Sequence, residues 1–168
     1  MKDQNIWNVV YTSSRQEKKV AQRFSDMGVE NYLPIVKVVS QWSDRKKIVE
    51  KPLFNGYVFV KQVKNPDDIL RVTGVAGYLK YNRNHAIVHQ HEIDTIKSLI
   101  NYGYDMTAID SSSTIEIGEK VIITDGTLKG QIGELVTKND TKWFVIFFEH
   151  FGNGVQVKIP SKLLKSIK

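Results

Sequence analysis

The sequence predicts an α+β fold in two parts: an N-terminal α/β sandwich, with helices flanking an antiparallel sheet, and a small C-terminal β-barrel. Short β-branched and aromatic runs alternate with amphipathic helical patterns up to residue 104. A polar stretch without periodicity follows, and the pattern after it is strand-like throughout. We therefore place the first domain at residues 1–104, a flexible linker at 105–114 and the barrel at 115–168.

The first strand and the first helix are predicted close to the N-terminus. Residues 8–11, Asn-Val-Val-Tyr, are typical of a strand. Ser14 and Glu17 have the spacing of a capping box, which predicts that a helix begins there. The apolar positions at helical spacing are Val20, Phe24 and Met27. The cations that repeat every four residues on another face are Arg15, Lys19 and Arg23.

A long β-hairpin is predicted next. Two extended runs, residues 33–42 and 45–51, flank a turn at Ser43-Asp44 and place a basic tip beside it. The run Tyr-Val-Phe-Val at residues 57–60 predicts a further strand.

Helix and strand alternate again up to residue 100. Asn65 followed by Pro66 is a helix start, and the helix should run to about residue 72. A short strand is predicted at residues 78–81. A helix at residues 92–100 presents isoleucines at 93, 96 and 100 on one face.

The C-terminal part contains only strand signals, separated by Asp-Gly, Asn-Asp and Gly-Asn-Gly turns. Short strands of this number in so few residues favour a closed barrel, because closure removes exposed sheet edges. The predicted strands are residues 121–124, 132–137, 143–148 and 155–159.

The charge is distributed unevenly along the chain. The sequence has 168 residues and a net charge of +6. Up to Tyr104 there are 16 basic and 10 acidic residues, whereas from Asp105 onward there are 8 of each. A basic first domain indicates a polyanionic partner such as nucleic acid, although a solvated, soluble surface is an equally simple interpretation.

Several function classes find no support in the sequence. There is no cysteine, no phosphate-binding glycine loop and no nucleophile elbow. The histidines at 85, 89 and 91 lie close together but lack the further ligands of a zinc site. No apolar run approaches the roughly 18–20 residues needed to cross a bilayer. We expect a cytoplasmic protein that is not an enzyme, with no metal and no cofactor.

Three motifs together resemble the NusG/RfaH family of transcription elongation factors. They are Trp-Asn-Val-Val-Tyr at residues 7–11, Pro-Leu-Phe-Asn-Gly-Tyr-Val-Phe-Val at 52–60, and Ile-Gly-Glu-Lys-Val at 117–121. The resemblance implies an N-terminal NGN domain and a C-terminal, SH3-like KOW barrel. The run Trp-Ser-Asp-Arg-Lys-Lys at residues 42–47 is similar to the UpxY-type branch, whose members act on polysaccharide operons.

The resemblance implies a monomeric elongation or antitermination factor that binds RNA polymerase and suppresses pausing or termination. An aromatic depression would receive the clamp helices of the polymerase, and a second region would touch the opposite side. Tyr57 and Phe59 are two residues apart and so share one strand face. The matching positions are Tyr11, Phe54, Tyr57 and Phe59, with Arg71 and Thr73 in the second region. Without the resemblance, the four aromatic residues would be ordinary core.

The resemblance also implies contacts with nucleic acid. The first helix would approach the non-template DNA strand in the transcription bubble, and the hairpin tip would approach upstream DNA or nascent RNA. A solvated basic face is the alternative in both places. The residues are Arg15, Lys18, Lys19 and Arg23 on the helix, and Arg45, Lys46 and Lys47 at the tip.

The barrel contains a six-residue apolar run, which leaves both faces of one strand hydrophobic although a small barrel has one interior. We expect the excess to contact the NGN domain, a ribosomal protein or another regulator. The proposed surface is Trp143, Phe144, Val145, Ile146, Phe147 and Phe148. A ribosome-associated KOW-type RNA-binding protein is the alternative function.

Overall fold

A computed structural model describes residues 5–110, 118–126, 128–138, 141–148 and 151–167. The chain divides into two compact units, Met1–Ile93 and Asp94–Lys168. Within the described residues, no helix is both long enough and apolar enough to cross a membrane.

The first unit alternates strands and helices as the sequence predicts, and its last helix continues into the second unit. The elements are β1 (Ile6–Thr12), α1 (Glu17–Asp26), β2 (Asn31–Tyr32), β3 (Ile35–Gln41), β4 (Lys46–Pro52), β5 (Tyr57–Lys61), α2 (Pro66–Leu70), β6 (Val75–Tyr78), β7 (Lys80–Tyr81), β8 (Asn84–His85), β9 (Ile87–His89) and α3 (Gln90–Asn101).

The first unit is built on an antiparallel sheet in which β1 is central. The strand order is β2-β5-β1-β6, and β9 also pairs with β1. Val10 lies opposite Val58 and Tyr11 opposite Tyr57 in the β1–β5 pair. Side chains alternate between the two faces of a strand, so this register places the valines on one face and the tyrosines on the other.

The valine face of the sheet packs against α1 and α2. Val10, Val58 and Val60 on the strands are almost completely buried, as are Val20 and Phe24 on α1. Their cluster is completed by Ile69, Val72 and Tyr78. Full burial of an apolar side chain of this size contributes roughly 1.5–3 kcal/mol, so this cluster stabilises the packing of both helices on the sheet.

The predicted capping box at the start of α1 is wrong. Gln16, not Ser14, precedes the helix, and no side chain caps it. Arg15 has φ 59°, so the chain is still turning at that point. The carboxylate of Glu17 is almost fully buried and accepts the backbone N–H of Gly56 at 2.8 Å. The Glu17 carboxylate, which a capping box would use locally, therefore binds a backbone N–H that is distant in sequence.

The other predicted helices are confirmed. Asn65 precedes α2, and its side-chain oxygen accepts the backbone N–H of Asp67 at 3.3 Å. The residues of α3 with no exposed surface are Ile93, Ile96 and Leu99. Leu99 thus takes the place that the spacing assigns to Ile100.

Two hairpins project from the five-stranded sheet of the first unit. Strands β3 and β4 form the long hairpin that the sequence predicts, closed by the Trp42 N–H bonding to the Arg45 carbonyl at 2.8 Å. The predicted strand at 78–81 is divided between β6 and β7, and β7 pairs with β8 in a second, short hairpin.

The described part of the second unit contains a six-stranded antiparallel sheet. Its order is β10-β14-β13-β12-β11-β15. The strands are β10 (Met106–Asp110), β11 (Glu119–Ile123), β12 (Ile132–Lys138), β13 (Thr141–Phe148), β14 (Asn153–Val157) and β15 (Leu164–Ser166).

Strand β10 lies within the segment that the sequence assigns to a flexible linker. Ile109 is opposite Gly154 in the β10–β14 pair, and five consecutive residue pairs form the ladder. Buried Met106 and Ile109 indicate why this segment is ordered, since their apolar surface leaves water when it joins the sheet. The rest of the predicted linker, residues 111–114, lies outside the described residues.

The buried contact between Glu17 and Gly56 gives a stability prediction. Glu17→Ala leaves a backbone donor unpaired, so we expect it to lower the free energy of unfolding by about 1–3 kcal/mol in urea denaturation. Ser14→Ala should change it by less than about 0.5 kcal/mol. A capping role for Ser14 would instead give a loss of about 0.5–2 kcal/mol in that variant, which would contradict the structure.

Two tyrosines whose pKa is raised in the fold predict a loss of stability in alkali. Burial raises the pKa of Tyr32 to about 12, and burial together with the Asp67 carboxylate raises the pKa of Tyr78 to about 12. The unfolded chain loses these protons near pH 10, before the folded protein does. Stability should therefore be complete below about pH 10 and fall between about pH 10 and 12.

Urea denaturation across this pH range tests the assignment. With the free energy of unfolding of each variant taken relative to its own value at neutral pH, we expect a smaller decrease in alkali for Tyr78→Phe than for the parent protein. The matched variant Tyr81→Phe, at an exposed position, should decline as steeply as the parent protein. Identical slopes in the two variants would show that Tyr78 does not contribute.

Candidate functional site

Two tyrosines lie side by side on the outer face of the β1–β5 pair. Tyr11 and Tyr57 are directly opposite in register, and their ring centroids are 5.0 Å apart at an interplanar angle of 40°. Tyr11 is 39% exposed, and Tyr57 is half-buried. This tyrosine pair is the part of the predicted aromatic set that reaches solvent.

The two phenylalanines of that set form the layer beneath the surface. Phe54 is 2% exposed and Phe59 is 0% exposed, and their rings meet edge to face at 5.9 Å. Tyr32 stacks on Phe59 from β2 at 6.3 Å. Phe59 lies on β5 between β2 and β1 and shares a strand face with Tyr57. The two phenylalanines therefore form a buried apolar patch next to the tyrosine pair.

The turn before β5 fixes the tyrosine pair relative to α1. Gly56 has φ 80°, a conformation that favours glycine. Its carbonyl accepts the N–H of Thr12 at 2.9 Å, and its own N–H donates to Glu17 at 2.8 Å. The end of β1, the start of β5 and the start of α1 are therefore joined at one residue.

Glu17 positions the turn before β5, a role that the capping-box prediction does not give it. A capping box and the contact with Gly56 both need a carboxylate in the first turn of a helix, so the local sequence does not distinguish them. Its near-complete burial depends on how α1 lies against the β4–β5 loop, which no local spacing reveals.

The four predicted cations around α1 differ in their surroundings. Lys18 and Lys19 are exposed on the helix. Arg15 is also exposed but precedes the helix in a left-handed conformation, so the predicted four-residue repeat on one helix face begins only at Lys19. Arg23 is half-buried and donates to the carbonyl of Thr73 at 2.6 Å.

Arg23 connects α1 to the loop that follows α2. Thr73 is exposed, and the N–H of Ser13 donates to the neighbouring carbonyl of Gly74 at 2.8 Å. A Cβ at Gly74, where φ is 95°, would lie 2.9 Å from Val20. Arg23 thus holds this loop against α1. Arg71 is exposed and lies 3.9 Å from the Asp68 carboxylate.

The tip of the β3–β4 hairpin carries an exposed ring among cations. Trp42 is 54% exposed, and the Lys47 ammonium lies 6.0 Å from its ring centroid, at the limit of a cation–π contact. Arg45 and Lys46 are also exposed. The combination provides a π-surface and positive charge on a projecting element.

The apolar run of β13 is mostly buried within its own unit. Phe144, Val145, Ile146 and Phe148 are each 3% exposed or less, whereas Phe147 is 45% exposed. Ile109 of β10 and Val136 of β12 cluster with Val145, and the half-buried Trp143 packs against them. The face expected to need a separate partner is covered in part by β10, and Phe147 is the prominent exposed ring of the run.

The histidines show stacking contacts in the described residues. His89 and His91 stack at 5.7 Å, and His85 stacks on Tyr78 at 4.2 Å. Across the described ranges, no three His, Asp or Glu side chains come together in a way that could hold a metal ion. His150 lies outside those ranges.

The sequence and the fold resemble those of known proteins. A family model described as "Transcription termination factor nusG" matches residues 5–97. The "Transcription termination/antitermination protein NusG" of Chlamydia pneumoniae is 27% identical over 136 residues, covering 76% of this chain and 75% of that protein.

A solved structure, "Domain interaction in Thermotoga maritima NusG", superposes with a TM-score of 0.54 at 20% identity, over 96% of this chain and 97% of that chain. This likeness confirms the α+β fold with an NGN-like sandwich and a KOW-like β part. Because the family model spans more than half of the sequence, the chain belongs to the NusG family of transcription termination and antitermination factors.

Proposed function

We propose that this chain is an elongation and antitermination factor that binds RNA polymerase through the tyrosine pair and suppresses pausing or termination. The observation that carries the proposal is the exposed pair Tyr11–Tyr57 on a sheet whose register and turn geometry hold it in place. Tyrosine suits a protein interface, since its ring buries apolar area while its hydroxyl can form a hydrogen bond.

The mechanism needs binding and no catalysis. A factor that contacts the clamp helices and the opposite side of the polymerase would favour the closed, processive state in proportion to its tighter binding to that state. In this scheme the tyrosine pair contacts the clamp helices, with Phe54 and Phe59 next to it. Thr73 and Arg71 face the other side, and Arg23 positions the loop that carries Thr73.

The exposed cations would guide the factor on DNA. Lys18, Lys19 and Arg15 are solvent-accessible and can approach the phosphates of the non-template strand. The hairpin tip, with Trp42 beside Lys46 and Lys47, suits upstream DNA or nascent RNA, where a ring can stack on an unpaired base. Its similarity to the UpxY-type branch favours a role at polysaccharide operons.

The remaining assignments complete the proposal. The NGN-like domain would comprise residues 1–104 and the KOW domain 115–168, acting as a cytoplasmic monomer with neither enzymatic activity nor cofactor. Phe147 and Trp143, which share one face of β13, would contact a ribosomal protein or another regulator. The basic, aromatic hairpin tip also supports the alternative of a ribosome-associated RNA-binding protein.

Binding to purified RNA polymerase tests the tyrosine pair. Loss of a central interface residue costs about 2 kcal/mol or more, which corresponds to a decrease in affinity of at least about 30-fold. We expect the Tyr11→Ala/Tyr57→Ala variant to show such a loss, and the Tyr→Phe pair to retain most of the affinity because the rings remain.

The matched control is Tyr102→Ala, since Tyr102 is also an exposed tyrosine but lies at the end of α3. Its polymerase affinity should equal that of the parent protein. Full affinity in a folded Tyr11→Ala/Tyr57→Ala variant would contradict the proposed site, and selective co-sedimentation with ribosomes would support the alternative.

Crosslinking in a stalled elongation complex tests the cations on α1. With a photoreactive group in the non-template strand, we expect Lys18→Gln/Lys19→Gln to reduce crosslinking several-fold and to make it less sensitive to salt, because two phosphate contacts are lost. Arg23→Gln should lower protein stability instead, through its bond to Thr73. An undiminished crosslink in the lysine variant would exclude this contact.

A further inference from the structure

The β7–β8 hairpin forms one wall of a polar groove in the first unit. The groove has a volume of about 420 Å³ and is widely open to solvent. Lys80, Arg83, Asn84 and His85 line it from the hairpin, and Asn8 and Gln62 line it from the sheet. None of these residues belongs to the surfaces assigned above.

The lining of this groove is cationic and contains no carboxylate. Lys80 and Arg83 are both exposed there, and the sequence has no acidic residue between Asp68 and Glu92. Side-chain amides add neutral hydrogen-bond donors, and Asn8 is held in place by donating to the carbonyl of Ala86 at 3.0 Å. Charge of one sign with amide donors favours an anionic ligand.

The turn of this hairpin has an arginine at a position where glycine is usual. Asn82 and Arg83 have φ 49° and 68°, which places both central residues of the turn in the left-handed region. Turns of this kind favour Asn-Gly, since a side chain with a Cβ is strained at the second position. Arg83 occupies this position despite the strain, and its side chain lines the groove.

Aromatic rings accompany the positive charge. His85 stacks on Tyr78 with centroids 4.2 Å apart and planes at 14°, so its ring is held in a fixed orientation beside the groove. Tyr81, on the same hairpin, is 44% exposed. Single-stranded nucleic acids bind such surfaces by combining phosphate contacts with bases stacked on rings.

We propose that this groove binds the sugar–phosphate backbone of a single-stranded nucleic acid. An open groove would leave much of a small anion in water, because small-molecule sites bury about 70–90% of their ligand. A strand can cross the groove and continue beyond it, with phosphates at Lys80 and Arg83 and a base beside the ring of His85, which lines the groove. This inference does not depend on the proposed polymerase site.

Fluorescence anisotropy with the full chain and labelled RNA and DNA oligonucleotides without secondary structure tests the groove. We expect Lys80→Gln/Arg83→Gln to weaken binding about 5–10-fold at moderate salt and to reduce the slope of log affinity against log salt by about 1.4, since each lost contact on a single strand removes roughly 0.7. Loss with RNA alone or with both probes supports the groove, and identifies which strand it receives.

Arg83→Gly separates binding from folding. Glycine relieves the left-handed strain, so the midpoint of urea denaturation should stay the same or rise while affinity falls. Lys129→Gln, an exposed cation in the second unit, is the matched control for loss of one charge. Unchanged affinity and salt slope in Lys80→Gln/Arg83→Gln, or a decrease no larger than that of Lys129→Gln, would overturn the proposal, as would absence of binding by the parent protein.

Polymerase binding distinguishes this site from the tyrosine pair. Lys80→Gln/Arg83→Gln should retain polymerase affinity, and Tyr11→Ala/Tyr57→Ala should retain oligonucleotide affinity. Failure of one proposal therefore leaves the measurement of the other intact. Parallel losses in both assays would show that the two sites are not separate and would overturn the inference of a second groove.

Discussion

The antiparallel pairing of β1 with β5 is the constraint on which the rest of the first unit depends. Its register sets Val10 opposite Val58 on the core face and Tyr11 opposite Tyr57 on the outer face. A shift of one residue would exchange the faces, so that the valines would leave the core under α1 and the tyrosines would turn toward it. The core under α1 and the candidate interaction surface are therefore consequences of one set of backbone hydrogen bonds.

Two charged side chains of α1 connect this helix to the loops around the sheet. Glu17 reaches the turn before β5, and Arg23 reaches the loop after α2. Each of these two side chains is charged and forms a hydrogen bond with a backbone group. Hydrogen bonds with a charged partner are stronger than neutral ones. Among the four cations around α1, Arg23 is therefore engaged within the fold, whereas Arg15, Lys18 and Lys19 remain exposed. Further exposed cations lie on the two hairpins.

Local patterns predicted the elements whose causes are local. The β3–β4 hairpin, the Asn65 cap of α2 and the apolar face of α3 all depend on residues within a few positions of one another, and all are present. The start of α1 and strand β10 depend on distant partners, Gly56 and β14 respectively. Their sequences resemble a capping box and a linker because the contacts that decide them occur only in the folded chain.

The amino-acid sequence by itself determined the two-part α+β fold and the concentration of positive charge before residue 105, since these follow from short-range periodicity and composition. It also carries the motifs that resemble the NusG family. Tertiary structure alone decided which aromatic residues reach solvent, because Phe59 and Tyr57 share a strand face but Phe59 is fully buried and Tyr57 is only half-buried. It also decided that Arg23 holds a loop while Lys80 and Arg83 line a groove. Burial depends on what lies above a side chain, and that is a property of chain segments far apart in sequence.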